Sequence, residues 1–260
     1  MSMDREFENK VALVTGASRG IGRAIALGLA KNGAAVVVNY QRQKQAAEEV
    51  VSQIKDMGME AVSVAADVAD YGASEELVRH AVERFGRLDI LVNNAGVAQD
   101  NLIVNMAPEQ WRKVIDVNLG GVFNCSKAAL AHFMPERRGC IVNVSSVMGK
   151  RGWVGESNYA ASKAAINAFT QCCAVESVRF GIRVNAVLPG FSDTDMVSGL
   201  MEEKTSKGIL KQIPMKRFAN PDEISELVCF LASERASYIT GEMISVDGGV
   251  GSVLGVGKVL

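Results

Sequence analysis

Short apolar, β-branched runs recur along the chain, and longer segments with helical spacing of their apolar positions separate most of them. Val11–Val14, Ala35–Asn39, Ala61–Ala65, Asp89–Asn93, Cys140–Val144, Arg183–Leu188 and Met243–Val246 predict seven strands. The intervening patterns predict helices from about Ile21 to Asn32, from Gln45 to Met57, and from a cap at Ser74 to Phe85. Gly33, Gly58 and Gly86 follow these helices, where glycine commonly ends a helix. A long helix is expected after Pro108, and another carries Tyr159 and Lys163 on to about Phe180. The strands are apolar throughout rather than alternating, so both faces of the sheet are covered and the strands run parallel. No repeat, low-complexity tract or linker interrupts the pattern, so residues 1–260 read as one α/β domain. Phe191–Phe218 breaks the rhythm: it is polar, carries Lys204, Lys207, Lys211 and Lys216, and is long for a connection, which predicts a substrate lid.

Composition narrows the function. Hydrophobic residues make up 48% of 260 positions, enough for a sizeable core. A net charge of −1 gives no electrostatic case for nucleic acid. Met1–Lys10 is polar and charged, unlike a secretory leader, and no apolar run approaches the roughly 18 residues of a membrane span. Cys125, Cys140, Cys172, Cys173 and Cys229 are odd in number and lack a C-x-x-C pair. They predict buried thiols in a reducing, cytoplasmic compartment rather than disulfides or zinc. His80 and His132 are the only histidines, and neither has an acidic neighbour at ligand spacing, so no metal is expected.

Two stretches carry candidate chemistry. The first strand runs into T-G-A-S-R-G-I-G (Thr15–Gly22) and then a helix. Glycines at such a turn let backbone approach a pyrophosphate seated on the helix N-terminus, as in Rossmann domains. The second strand ends Asn39-Tyr40-Gln41-Arg42, without the acidic residue that binds the ribose hydroxyl of NAD. Arg19 and Arg42 could instead meet a 2′-phosphate, so NADPH is favoured over NADH, the alternative being two solvated arginines. The second stretch places Ser146 thirteen residues before Tyr159, and Lys163 four after it. Tyr-x-x-x-Lys sets phenol and ammonium on one helix face. A nearby positive charge is expected to lower a phenol from its usual value of about 10, which suits a proton donor to a carbonyl.

With these motifs the chain resembles the short-chain dehydrogenase/reductases from Lys10 to Gly249. The likeness adds Asp67-Val68, N-N-A-G at Asn93–Gly96, V-N-L at Val117–Leu119, S-S-V at Ser145–Val147, Pro189-Gly190 and V-D-G-G at Val246–Gly249. Within the family it is most similar to 3-oxoacyl-(acyl-carrier-protein) reductases, through N-N-A-G-V-A-Q-D-N-L, P-G-F-S-D-T-D-M and I-P-M-K-R-F-A-N-P-D-E-I. The resemblance implies that Tyr159 protonates the carbonyl oxygen and Ser146 hydrogen-bonds it, with Ser145 the rival serine. It implies that Lys163 holds the nicotinamide ribose and lowers the Tyr159 pKa, and that Asn118 anchors a water leading to Lys163. Gly16, Ser18, Arg19, Gly20, Ile21, Gly22, Asn39 and Arg42 would bind cofactor. Asp67 and Val68 would meet the adenine; Asn94, Ala95 and Gly96 its ribose; Pro189, Gly190 and Ser192 the nicotinamide. A homotetramer is implied, with an interface on the helices after Pro108 and Tyr159. Ala160, Ala161, Ala164, Ala165 and Ala168 would pack there, or else on the protein's own sheet. Arg137 and Arg138 match part of a carrier-docking patch, but Phe180 stands where arginine is common, with Arg179 just before it. The apolar tail Val250–Leu260 extends past V-D-G-G and is expected to pack on a neighbouring subunit. The remaining alternatives are action on another ketone, alcohol, sugar or polyketide, and a non-catalytic dinucleotide sensor.

Overall fold

The computed structural model describes residues 5–194 and 203–252. Seven parallel strands form one sheet: β1 Val11–Val14, β2 Ala35–Tyr40, β3 Ala61–Ala65, β4 Ile90–Asn93, β5 Gly139–Val144, β6 Ile182–Pro189 and β7 Met243–Val246. Their spatial order is β3-β2-β1-β4-β5-β6-β7. Leu13 pairs with Val37 on one side and Leu91 on the other. The chain winds outward from β1 to β3, then returns across β1 to begin β4. That reversal opens a crevice at the carboxyl ends of β1 and β4.

The pleat sends successive side chains to opposite faces, and each face has its own core. Val36, Val38, Ile90, Val92 and Val142 meet Ile25 and Leu29 of α1 (Gly20–Lys31), Ile54 of α2 (Lys44–Asp56), and Ile224 and Val228 of α8 (Pro221–Ala232). Leu13, Val37, Leu91 and Ile141 meet Leu77 and Ala81 of α3 (Tyr71–Phe85), Ala129 and Phe133 of α5 (Gly121–Glu136), and Cys173 of α6 (Ser157–Ser177). Burying each of the larger side chains among these, the Val, Leu, Ile and Phe residues, contributes about 1.5–3 kcal/mol. Two further helices complete the set, α4 Pro108–Ile115 and α7 Glu203–Gln212.

The expected strands are all present, with ends shifted by at most one residue. β4 begins at Ile90 rather than Asp89 because the buried Asp89 carboxylate is itself a tie. It accepts from Val11 N at 2.9 Å and is held by Arg87 through two hydrogen bonds. The helices depart further. Asp70, not Ser74, caps α3: its Oδ1 accepts from Ala73 N at 2.7 Å, and Ser74 is buried inside the first turn, donating to Asp70 O. The helix expected after Pro108 is broken by a π turn at Asp116–Gly120. The helix after Tyr159 ends as α-helix at Ser177, and Val178–Phe180 tightens to 3₁₀ before Gly181 at φ 72°. Two helices were not expected. α8 has a capping box in which Asn220 accepts from Asp222 N and Glu223 bonds back to Asn220 N. α7 lies within the expected lid. The rest of that lid from 195 to 202, and the tail from 253, lie outside the described residues.

Candidate active site

A cavity of about 620 Å³ occupies the crevice at the carboxyl ends of the strands. Every residue expected to bind cofactor lines it, as do Ser146, Tyr159 and Lys163. Asn118 stands just behind the wall.

The cofactor end is built from glycine geometry and neutral struts. Gly16 has φ +60°, and a Cβ there would lie 2.9 Å from Ala95 Cα. A Cβ on Gly22 would lie 2.3 Å from Asn94 Nδ2 and 2.4 Å from Gly16 O. Thr15 Oγ1 accepts from the backbone N–H groups of Asn94 and Ala95 at 2.9 and 3.0 Å, and Asn94 Nδ2 donates to the carbonyls of Thr15 and Gly16. The loops after β1 and β4 are therefore laced together. α1 starts with no side-chain cap and no acidic residue in its first turn, which leaves its N–H groups available to an anion.

Asn39 lines the cavity, but its side chain is already engaged. Oδ1 accepts from Gly16 N, and Nδ2 donates to Val64 O and Ala66 O. Its evident work is to hold the glycine turn against β2 and β3. Asp67 accepts from Ala69 N at 3.0 Å and from Gln41 Nε2 at 2.6 Å. Arg19 and Arg42 are exposed on the cavity wall.

The other end holds the titratable groups. Lys163 is buried, and its Nζ donates to Val144 O at 2.8 Å. Burial pushes its pKa down to about 8. Nζ lies 5.5 Å from the centre of the Tyr159 ring. The phenol departs from expectation: burial pushes it up to about 12, a hydrogen bond with Ser146 acts in the lowering direction, and Glu156 and Asp100 add to the rise. Desolvation is the largest cause of the phenol's rise. The two serines are separated by their surroundings. Ser145 Oγ donates to Lys163 O at 3.0 Å, whereas Ser146 Oγ accepts from Met148 N and acts on the Tyr159 phenol.

Asn118 sits in the π turn, fully buried. Its Oδ1 accepts from Val97 N at 2.8 Å, and its Nδ2 donates to Val97 O and Ser162 Oγ. The side chain is thus committed to the loop after β4 and to α6. π turns cluster at functional sites because they shift the helical register locally. At the far wall, a Cβ on Gly190 would lie 2.7 Å from Asp247 Cα, and Ser192 Oγ donates to Gly190 O.

Sequence reasoning missed Asp100 and Glu156, both on the cavity wall; Phe191 and Thr194, also on that wall, fall within the expected lid but were not singled out. Thr194 had a signal, lying near Pro189-Gly190, and it comes within 3.4 Å of a Cβ built on Gly20. Asp100 and Glu156 lie in loops whose meeting no spacing reveals; Asn101 N bonds Gly155 O at 2.9 Å to bring them together.

A glycine turn at the switch point of a parallel sheet, with a Ser-Tyr-Lys set beside it, defines a dinucleotide-dependent oxidoreductase. Residues 16–251 match a family model described as enoyl-(acyl carrier protein) reductase. The chain is 46% identical over 242 residues to the 3-oxoacyl-(acyl-carrier-protein) reductase of Staphylococcus epidermidis, covering 93% of this chain and 99% of that protein. It is also 46% identical over 242 residues to the enzyme of that name from Synechocystis, covering 93% and 96%. The solved structure of levodione reductase superposes with a TM-score of 0.92 at 33% identity, covering 95% of this chain and 99% of that one. The chain belongs to the short-chain dehydrogenase/reductase family and is an oxidoreductase.

Proposed function

We propose that this enzyme reduces a 3-oxoacyl thioester, carried by a carrier protein or coenzyme A, to the 3-hydroxyacyl thioester with NADPH. The observation that carries the reading is the convergence of Ser146, Tyr159 and Lys163 on one wall of the same cavity that the glycine turn lines, with Lys163 buried and bonded to Val144 O. The relatives' names supply the substrate class.

The bound dinucleotide would supply the hydride. Ser146 and Tyr159 place two hydroxyls where negative charge grows on the carbonyl oxygen, and Tyr159 gives up its proton there. A phenol pushed up to about 12 stays protonated at neutral pH, as a donor must. Lys163, turned by its bond to Val144 O, would meet the ribose and refill the phenol's proton. Asn118 fixes the loop through Val97, and its own turn would hold the water that feeds Lys163. The uncapped start of α1 would take the pyrophosphate, and Arg19 and Arg42 the 2′-phosphate.

The remaining assignments complete the reading. Residues 1–260 act as one domain with a lid over about 191–218. Carrier docking is supported by the exposure of Arg137, Arg138 and Arg179 on neighbouring segments, where Arg137 Nη2 donates to the backbone carbonyl of Arg179 at 2.9 Å and the Arg179 guanidinium lies over the Phe180 ring at 4.8 Å. A homotetramer is supported by Ala164, Ala168, Val175 and Val178, which are exposed along α6 and its 3₁₀ extension rather than packed on the sheet. No helix among the described residues is long and apolar enough to cross a membrane, which accords with a cytoplasmic site.

The test is loss of reduced-cofactor absorbance with acetoacetyl-CoA, run in parallel with NADPH and NADH. Turnover favouring NADPH is expected. Absence of turnover with either, while cofactor binding is demonstrable, would redirect the reading to another ketone or alcohol. Levodione reductase shows that a close structural neighbour carries another substrate's name.

A further inference from the structure

Glu156 lines the cavity three residues before Tyr159, where the chain enters α6. Its Oε2 is shut off from solvent and has no hydrogen-bond partner. Asp100 lines the same cavity from the loop after β4, held against residue 155 by the Asn101–Gly155 hydrogen bond. Among the described residues, neither carboxyl is paired with a cation. The other titratable groups on the cavity wall are Tyr159 and Lys163 from α6, with Arg19, Tyr40, Arg42 and Asp67 at the cofactor end. The reacting end is thus lined by two acids, and the buried Lys163 ammonium on the same cavity is tied to Val144 O.

An acid at the reacting end disfavours a second negative charge beside it. We infer that Glu156, backed by Asp100, is a specificity-determining residue that admits carbonyl substrates neutral near the reacting carbon and turns away those carrying a free carboxylate there. A 3-oxoacyl thioester is neutral at that position; the corresponding free 3-oxo acid is an anion. The inference rests on this cavity being where the carbonyl is reduced.

Glu156 also gives the selection a pH signature. Burial, reinforced by Asp100, raises its carboxyl to about 7. Below that value it is neutral and the exclusion weakens; above it the carboxylate forms and the exclusion deepens.

The experiment compares ethyl acetoacetate with acetoacetate, which share a 3-oxo skeleton and differ in charge, as kcat/KM between pH 6 and pH 8.5. Acetoacetate stays ionised throughout. Loss of the Lys163 ammonium near pH 8 would move the ratio in the same direction as Glu156 ionisation, so the Glu156→Gln variant, which leaves Lys163 in place, separates the two contributions. The neutral substrate is expected to be favoured by at least about tenfold at pH 8 and by less at pH 6. Glu156→Gln should lower the pH 8 ratio several-fold and flatten its pH dependence. Asp100→Asn should lower it less. A ratio that Glu156→Gln leaves unchanged, or a wild-type preference for acetoacetate, overturns the inference. Binding of the same pair to enzyme saturated with oxidised dinucleotide, followed by ligand-observed NMR, gives the ratio without turnover. If acetoacetyl-CoA is not reduced but the ratio behaves as stated, the thioester assignment fails and the charge selection stands.

Discussion

The two ends of the cavity are made of different materials. At the cofactor end, Thr15, Asn39 and Asn94 are neutral, and each is bonded to neighbouring backbone. At the reacting end, Tyr159, Lys163 and Glu156 are ionisable, and burial moves all three toward their neutral forms. The first end consumes its own polar groups to fix a shape. The second keeps polar groups underused, which destabilises the protein but leaves protons to move. On the proposed reading, shape would hold the ligand and unmet electrostatic demand would perform the reaction.

The largest separation of the two ends should come from Tyr159→Phe. The phenol ring fills the same space, so dinucleotide affinity by fluorescence titration should change by less than about threefold. Turnover should fall by about 10²–10⁴-fold, the usual contribution of a positioned acid. A variant that retained turnover would remove Tyr159 from the chemistry and collapse the contrast.

Gly22→Ala attacks the cofactor end instead. The added methyl would meet Asn94 Nδ2 and Gly16 O at under 2.5 Å, and backbone cannot yield cheaply. Dinucleotide affinity should drop by roughly a hundredfold and stability by about 1–3 kcal/mol. Gly152→Ala is the control: no atom lies within 4 Å of its Cβ, and both quantities should hold.

This asymmetry also explains what could be read in the chain. Apolar runs such as Val11–Val14 and Ala35–Tyr40 specify buried parallel strands because both faces must be covered, and the glycine turn announces a steric requirement directly. Local spacing along α6 gave Tyr159 and Lys163. Asp100 and Glu156 were illegible because 56 residues separate them, and only the loop contact at Asn101–Gly155 makes them neighbours. The π turn at Asn118 was hidden for a related reason: its cause is a tertiary bond to Val97, while local sequence continues to look helical. The phenol's rise was missed because spacing shows the ammonium nearby but not the burial that raises the phenol.

Lys163→Met sharpens the claim that the reacting end is held at a stability cost. The folded pKa is lowered to about 8 from an unfolded value of about 10.4. Below pH 8 the buried ammonium is charged in both states, so its desolvation penalty is fully present. The penalty shrinks between those two values and is gone above them. The penalty is about 3 kcal/mol at most, and losing the bond to Val144 O offsets about 1 of it. The variant should be inactive yet about 2 kcal/mol more stable at pH 7 by urea denaturation, with the advantage gone near pH 10.5. Equal or lower stability at pH 7 would mean the ammonium is well solvated where it lies.

The smallest effect expected is at Arg42, and it tests whether the cofactor end is neutral throughout. Arg42 is exposed on the cavity wall just beyond β2, whose own end carries no carboxylate. An exposed arginine facing a phosphate works across solvent and is screened by salt, so its worth is near 1 kcal/mol. Arg42→Ala should lower kcat/KM for NADPH by about five- to tenfold and leave that for NADH within about twofold. The loss should shrink as salt is raised from 50 to 500 mM, because the Debye length contracts below the span of the contact. Loss that is equal for both cofactors would show that Arg42 supports the loop between β2 and α2 rather than reading the phosphate, and the choice of cofactor would then rest with Arg19 and the shape of the turn.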